Sequence, residues 1–126
     1  MSRIQGKNTS CELIVRRYLF SQGFRFRIHD KRYPGHPDIV LPKYRTMVFV
    51  NGCFWHGHTD CSLYRQPKSN VAFWKEKIER NRSRDERNRL LLEQSGWRVI
   101  VVWECELRQK HLRENTLPGL VNEIWE

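Results

Sequence analysis

Apolar side chains recur along this chain with spacings that distinguish helices from strands. Residues 9–22 carry apolar side chains at helical spacing and are followed by Gly23, which predicts a first helix. Residues 24–28 alternate strictly between apolar and basic side chains, as in a strand with one buried face. Two short apolar strands are predicted next, over residues 38–41 and 46–50, with a turn between them.

A long irregular stretch separates these strands from the second half of the chain. Residues 51–70 hold Gly, His, Cys and Pro without periodicity, and such a loop is unusual in a compact domain unless a metal or a function organises it. A long helix is predicted over residues 73–94, ending at Gly96, and a last strand over residues 98–103. Irregular chain and a short helix near residues 117–125 are expected to follow. The order α-β-β-β-α-β predicts an α/β fold, a mixed sheet covered by helices.

Length and composition limit the class of protein. The 126 residues fit a single domain over residues 1–126, and 39% of them are hydrophobic, an ordinary globular composition. No apolar run approaches the roughly 20 residues that span a bilayer, and the N-terminal residues lack the apolar segment of a secretory signal. We therefore expect a cytoplasmic monomer that is neither secreted nor inserted in a membrane.

The charge balance favours a polyanionic partner. Lys and Arg number 23 against 14 acidic residues, a net charge of +9, and nucleic acid is the first candidate and an anionic membrane surface the second. The predicted long helix carries much of this charge, either as a solvated face with internal ion pairs or as a surface that meets phosphates. Its basic residues are Lys75, Lys77, Arg80, Arg82, Arg84, Arg87 and Arg89.

Cysteine and histidine cluster in the irregular loop. Cys53 and Cys61, with one or both of His56 and His58, offer the thiolate and imidazole ligands that zinc prefers, and Cys105 after the last strand could complete a set of four. The spacing does not decide which histidine binds. The alternative is that these are separate buried thiols and exposed imidazoles. The close spacing of soft ligands favours zinc.

Two acidic residues are candidates for a second metal. Asp38 follows Pro37 at the start of a predicted strand, and a carboxylate at a strand end can hold Mg²⁺ when phosphate and water complete the coordination. A bound Mg²⁺ can activate water for phosphodiester hydrolysis. Glu12 has two interpretations, as a metal ligand or as the distal half of a capping box with Thr9.

Several motifs together resemble one protein family. Residues 51–58 read Asn-Gly-Cys-Phe-Trp-His-Gly-His, residues 34–38 read Pro-Gly-His-Pro-Asp, and residues 102–105 read Val-Trp-Glu-Cys. With Phe-Trp-Lys-Glu-Lys-Ile at residues 73–78 and Gly-Trp-Arg-Val at residues 96–99, this order is similar to that of the very short patch repair DNA endonucleases.

The resemblance implies a fold and an activity. The fold would be the restriction-endonuclease-like core of the PD-(D/E)xK superfamily with a structural zinc site. The activity would be Mg²⁺-dependent nicking of one DNA strand beside a thymine–guanine (T:G) mismatch left by deamination of 5-methylcytosine. The partner would be mismatched double-stranded DNA, with a cytosine methyltransferase or mismatch-repair proteins as further partners.

The resemblance also implies roles for particular residues. Asp38 matches the aspartate that binds Mg²⁺, Glu12 matches a glutamate of the metal site, and the backbone carbonyl of Val50 would be a further ligand. His56 matches the catalytic histidine, and Asp85 matches an acid that supports the metal-bound water. Position 51 is Asn where some members have a second active-site histidine.

The same resemblance assigns some residues of the loop to zinc binding and others to contact with DNA. The zinc ligands would be Cys53, His58, Cys61 and Cys105, which leaves His56 for acid–base chemistry. The side chains that insert beside the mismatch would be Phe54, Trp55 and Met1.

Two other functions fit part of the sequence. A related restriction or defence nuclease could use the same scaffold on a different DNA target. A zinc-stapled DNA-binding module would bind without catalysis, but such a module does not need the combination of Asp38, Glu12 and His56.

Overall fold

The computed structural model describes residues 10–53 and 69–126. In these ranges the helices are α1 (Ser10–Ser21), α2 (Val71–Gln94), α3 (Glu104–Arg108) and α4 (Lys110–Trp125). The strands are β1 (Arg27–Ile28), β2 (Ile39–Leu41), β3 (Thr46–Asn51) and β4 (Arg98–Trp103), and a 3₁₀ turn lies at Pro42–Tyr44. Among the helices of these ranges, none has the length and hydropathy needed to cross a membrane.

The strands form one mixed sheet in the order β1-β2-β3-β4. β1 pairs with β2 and β2 pairs with β3 in antiparallel fashion, whereas β3 and β4 are parallel. The long connection that contains α2 supplies the crossover that a parallel pair requires. The mixed sheet predicted from the order of elements is therefore confirmed.

Helices cover both faces of the sheet, because successive strand residues point to opposite sides. On one face α1, α3 and α4 pack on the sheet, and this core contains Val15, Leu19, Ile39, Leu41, Val48, Ile100, Val102, Leu107, Leu117, Leu120 and Ile124. On the other face α2 places Leu92 against Val40 and Met47. All three residues of β2 are buried, and their side chains point alternately to the two faces, so this strand contributes to both cores.

Both predicted helix stops are confirmed. α1 and α2 are each followed by a glycine with positive φ, Gly23 at 93° and Gly96 at 91°. The amide of Trp97 donates a hydrogen bond to the carbonyl oxygen of Leu92 at 3.1 Å, which closes the last turn of α2. A glycine adopts this left-handed conformation without the steric penalty of a Cβ atom.

The strand predicted over residues 24–28 is much shorter than expected. Only Arg27 and Ile28 pair with β2, and both side chains are exposed. Phe24 instead leaves the sheet, and its ring lies 5.3 Å from that of Tyr44 and 5.5 Å from that of Trp125. The apolar residue that begins this alternation is therefore explained by packing of Phe24 against α4 and not by a half-buried strand.

The chain after β4 is more helical than the sequence indicates. α3 starts directly after β4, and the Trp103 amide donates to Oε1 of Glu106 at 2.9 Å, which caps the new helix. α4 continues through Pro118, where the sequence predicts helix only from about residue 117. Leu117, Leu120 and Ile124 are buried at helical spacing, and this packing outweighs the loss of one backbone donor at the proline.

Two neighbouring residues of α1 provide a test of the core. Leu19 is fully buried, whereas Phe20 is 60% exposed. We expect Leu19→Ala to lower the free energy of unfolding by about 2–5 kcal/mol because it leaves a cavity. Phe20→Ala, the matched control, should lower it by less than about 1 kcal/mol. Urea denaturation of both variants measures the difference, and equal losses would contradict this packing.

Candidate functional site

The chemistry-bearing residues of the described ranges gather where β3 ends. Because β3 and β4 are parallel, their carboxyl ends lie at the same edge of the sheet. β2 is antiparallel to β3, so the residue that precedes β2 lies at this edge as well. That residue is Asp38. The sequence therefore places an acidic residue and the two chain segments that follow β3 and β4 on one side of the molecule.

The Asp38 carboxylate is fixed by the backbone of β3. The amide of Val50 donates a hydrogen bond to its Oδ2 atom at 2.7 Å. A carboxylate that accepts from a backbone amide has a defined orientation, which a binding site requires. The resemblance implies that the Val50 carbonyl binds the cation, and this stays a prediction; the structure shows the Val50 amide bound to Asp38.

Glu12 enters the site from α1. It lies three and seven residues before Val15 and Leu19, on the same buried stripe of the helix, and is 2% exposed. A buried carboxylate needs charged or hydrogen-bonding partners, since its desolvation is costly. Its Oε2 atom contacts Nε2 of His29 and lies 3.8 Å from Nη1 of Arg16. Thr9 lies outside the described residues, and Glu12 is directed toward the sheet edge.

His29 is a site residue that the sequence did not reveal. β1 pairs Ile28 with Ile39, so the next residue along, His29, comes opposite Asp38. The His29 amide donates to the Asp38 carbonyl oxygen at 3.3 Å, and its φ is 50°. One sequence signal was present: an acidic residue on an apolar helix stripe requires a partner.

Three ligand-type side chains therefore meet at this edge. The metal-ligating atoms of Glu12, His29 and Asp38 all lie within 4.8 Å of one another. Two carboxylates and an imidazole form a donor set that suits a divalent cation. Glu12 and Asp38, which are distant in sequence, were predicted as metal ligands, and the structure brings them together.

A pair of cysteines lies at the same edge. The parallel register pairs Asn51 with Trp103, so Cys53 and Cys105 leave β3 and β4 side by side. The Cys105 amide donates to Sγ of the fully buried Cys53 at 3.4 Å. Cys11 lies elsewhere in the core cluster, and burial raises the pKa of its thiol, so it stays protonated at neutral pH.

Comparisons with known proteins agree with these motifs. Residues 1–63 match the family model described as DNA mismatch endonuclease Vsr. The chain belongs to the Vsr family of DNA mismatch endonucleases.

Relatives of this family align with most of the chain. The type II nicking enzyme V.NmeAIP of Neisseria meningitidis serogroup A is 54% identical over 124 residues, which cover 98% of this chain and 88% of the relative. V.XorIIP of Xanthomonas oryzae pv. oryzae, also named a type II nicking enzyme, is 52% identical over 97% of this chain and 89% of the relative. The DNA mismatch endonuclease Vsr of Escherichia coli K12 is 44% identical over 86% of this chain and 69% of its own length.

Asp85, which the resemblance to this family singled out, lies on α2. It follows Ile78 by seven residues and precedes Leu92 by seven, so it shares the stripe of α2 that faces the sheet. Its side chain is 33% exposed and lies 4.0 Å from that of Arg84. In the described ranges, Asp85 is not part of the three-residue group at the sheet edge.

Other residues singled out by the family resemblance lie outside the described ranges. They are Met1, Phe54, Trp55, His56, His58 and Cys61. Their expected roles in zinc binding, catalysis and insertion into DNA stay predictions.

The basic residues of α2 divide into two groups. Three are near carboxylates: Arg80 pairs with Glu76 at 3.1 Å, Arg84 lies 4.0 Å from Asp85, and Arg89 pairs with Glu93 at 2.8 Å and also with Glu86. Four exposed basic residues have no carboxylate of the described ranges within 4.0 Å. They are Lys75, Lys77, Arg82 and Arg87. The helix thus combines internal ion pairs with uncompensated positive charge.

Proposed function

We propose that this protein is an endonuclease that nicks one strand of double-stranded DNA beside a T:G mismatch and depends on Mg²⁺. The observation that carries the proposal is the buried Glu12 carboxylate beside Asp38 at the sheet edge. A protein that only binds DNA does not need two carboxylates held together at a sheet edge. The printed names of its relatives, nicking enzymes and a mismatch endonuclease, support the same activity.

The fold that we propose is the restriction-endonuclease-like core of the PD-(D/E)xK superfamily. The mixed sheet, the helices on both faces and the aspartate that precedes a short central strand are compatible with it. The helix that brings Glu12 to the sheet edge is also expected in such a core.

The donor set at the edge fits a divalent cation held by Asp38 and Glu12. When bound, Mg²⁺ neutralises charge on the scissile phosphate and lowers the pKa of a water molecule. The protein contributes by holding the two carboxylates in position. The Val50 amide orients Asp38, and the fold of α1 keeps Glu12 dry so that it interacts strongly with a cation.

Acid–base chemistry is assigned to His56. An unperturbed imidazole has a pKa near 6.5, which suits a base at neutral pH. Cys53, which is fully buried, lies three residues before His56 in the sequence, so a firmly packed residue is close to the proposed base. Asp85, on the sheet-facing stripe of α2, supports the hydration shell of the cation in this proposal.

A structural zinc ion is proposed at Cys53, His58, Cys61 and Cys105. Cys53 and Cys105 are adjacent where β3 and β4 end, and the Cys105 amide donates to the Cys53 sulfur, so the two residues could bind one ion. Four protein ligands close the coordination sphere, so this ion would hold the loop rather than take part in hydrolysis.

Recognition of the mismatch is assigned to insertion of aromatic side chains. Phe54 and Trp55, with Met1, would enter the base stack beside the weak T:G pair. Unstacking costs a few kcal/mol and costs least where pairing is already weak, so insertion itself favours mismatched DNA.

A nicking assay tests the proposed activity. With Mg²⁺, we expect the wild-type protein to cut one strand of a T:G duplex and not the matched duplex. Asp38→Asn keeps an acceptor for the Val50 amide but should lower the rate by at least about 10²-fold, since the cation supplies several kcal/mol. Glu114→Gln, an exposed residue of α4, serves as the control and should cut normally. Cutting of both duplexes at one rate would indicate a nuclease with another target, and binding without cutting would indicate a DNA-binding module.

Cysteine variants test the zinc site. We expect Cys105→Ser to lose the zinc and lower the melting temperature, because three ligands hold the ion weakly. Cys11→Ser, the control, should keep one zinc ion per protein even if the core is less stable. Zinc content is measured by mass spectrometry of the purified protein. A Cys105→Ser protein that is free of zinc but keeps the wild-type melting temperature would contradict a structural role for the ion.

The salt dependence of DNA binding tests α2. Each phosphate contact contributes about −0.9 to the slope of log K against log salt. Replacing Lys75, Lys77, Arg82 and Arg87 by Gln should therefore reduce the slope by up to about 3–4, and Gln preserves helix propensity. Arg80→Gln with Arg89→Gln, which removes ion-paired arginines, should change the slope by less than about 1. If the fourfold variant keeps the wild-type slope, these residues of α2 face solvent and do not contact phosphates.

A further inference from the structure

His29 lies beside the proposed cation site, but the proposed function gives it no role. Its position is fixed by strand register, since β1 brings it opposite Asp38, and its amide donates to the Asp38 carbonyl oxygen. Its ring is 16% exposed, and Nε2 is directed at the Glu12 carboxylate. The imidazole therefore contacts Glu12 and lies close to Asp38, the two carboxylates that we assign to the cation.

Charge compensation alone does not account for this placement. Glu12 already lies 3.8 Å from the guanidinium of Arg16, which is permanently charged. A histidine adds something that an arginine lacks, a nitrogen lone pair that can bind a metal. The ligand atoms of Glu12, His29 and Asp38 lie within 4.8 Å of one another. One ion with bonds of about 2.0–2.3 Å spans up to about 4.6 Å between opposite ligands, so modest side-chain rotation suffices.

We propose that His29 is a third protein ligand to the cation at Asp38 and that it shifts the preference of this site from Mg²⁺ toward first-row transition ions. The inference rests on the proposed function, which places a cation there. Mg²⁺ prefers oxygen ligands and is usually bound through one or two carboxylates, whereas transition ions accept imidazole nitrogen. Mn²⁺ binds most weakly of that series, so an effect seen with Mn²⁺ is a lower limit.

The chain supplies a matched control for this residue. His29 and His36 both have positive φ, 50° and 49°, a conformation that Asn tolerates well. His29→Asn therefore keeps the backbone while its shorter side chain withdraws the ring nitrogen. His36→Asn makes the same change at an exposed histidine outside the three-residue group. Asp38→Asn serves as the reference for loss of the site itself.

The experiment measures Mn²⁺ binding to the zinc-loaded protein without DNA, by electron paramagnetic resonance, with Mg²⁺ as a competitor. We expect His29→Asn to weaken Mn²⁺ binding by about tenfold or more and Mg²⁺ binding by less than about threefold. His36→Asn should match the wild type. Pulsed spectra of bound Mn²⁺ should show ¹⁴N modulation from imidazole in the wild type and in His36→Asn, but not in His29→Asn.

The outcomes separate this inference from the proposed function. Equal weakening of both ions in His29→Asn, no weakening, or wild-type Mn²⁺ spectra without ¹⁴N modulation would overturn the role of His29. The last result does not depend on any variant being folded. If Asp38→Asn binds Mn²⁺ as well as the wild type, the cation site itself is wrong, and the role of His29 is wrong with it.

Discussion

Burial of the Glu12 carboxylate is the constraint on which this site depends. Glu12 lies on the core-facing stripe of α1, so the packing that fixes the helix also removes the charge from water. Such a group destabilises the fold unless partners are held against it. Arg16 and His29 meet that need, and His29 requires β1, which is only two residues long. A strand of this length contributes little to the core, but its register opposite β2 brings His29 beside the carboxylate.

The parallel pairing of β3 and β4 explains why the cysteine pair and the acidic residues lie at the same edge of the sheet. It brings Cys53 beside Cys105, and the antiparallel β2 brings Asp38 beside Val50. Val50 and Cys53 are three residues apart on one chain segment, so a zinc ion at the cysteines would stabilise the same strand end that orients Asp38. On the proposed function, the structural metal thus contributes to catalysis through the backbone and not through its own charge.

The sequence predicted the elements whose signals are local. The β4 strand and the glycines that end α1 and α2 were predicted from periodicity and turn residues, and the mixed sheet followed from the order of the elements. The short β1 and the full length of α4 were missed, because Phe24 packs on a distant helix and Pro118 conceals continuous helical burial. His29 was missed for the same physical reason. Its position follows from the register between two strands, which no local pattern encodes.

The net charge of the protein and the two carboxylates of the site have opposite effects on a divalent cation. The net charge of +9 repels a free cation and attracts DNA, while Glu12 and Asp38 create a small negative region within that positive field. DNA bound at this edge would bring phosphate oxygens that complete the coordination of the ion and offset the surrounding positive charge. Binding of DNA and of the cation must then strengthen each other by the same factor, since the coupling is reciprocal. On the proposed function, an ion that the free protein holds weakly would therefore be held more firmly once the scissile phosphate is bound.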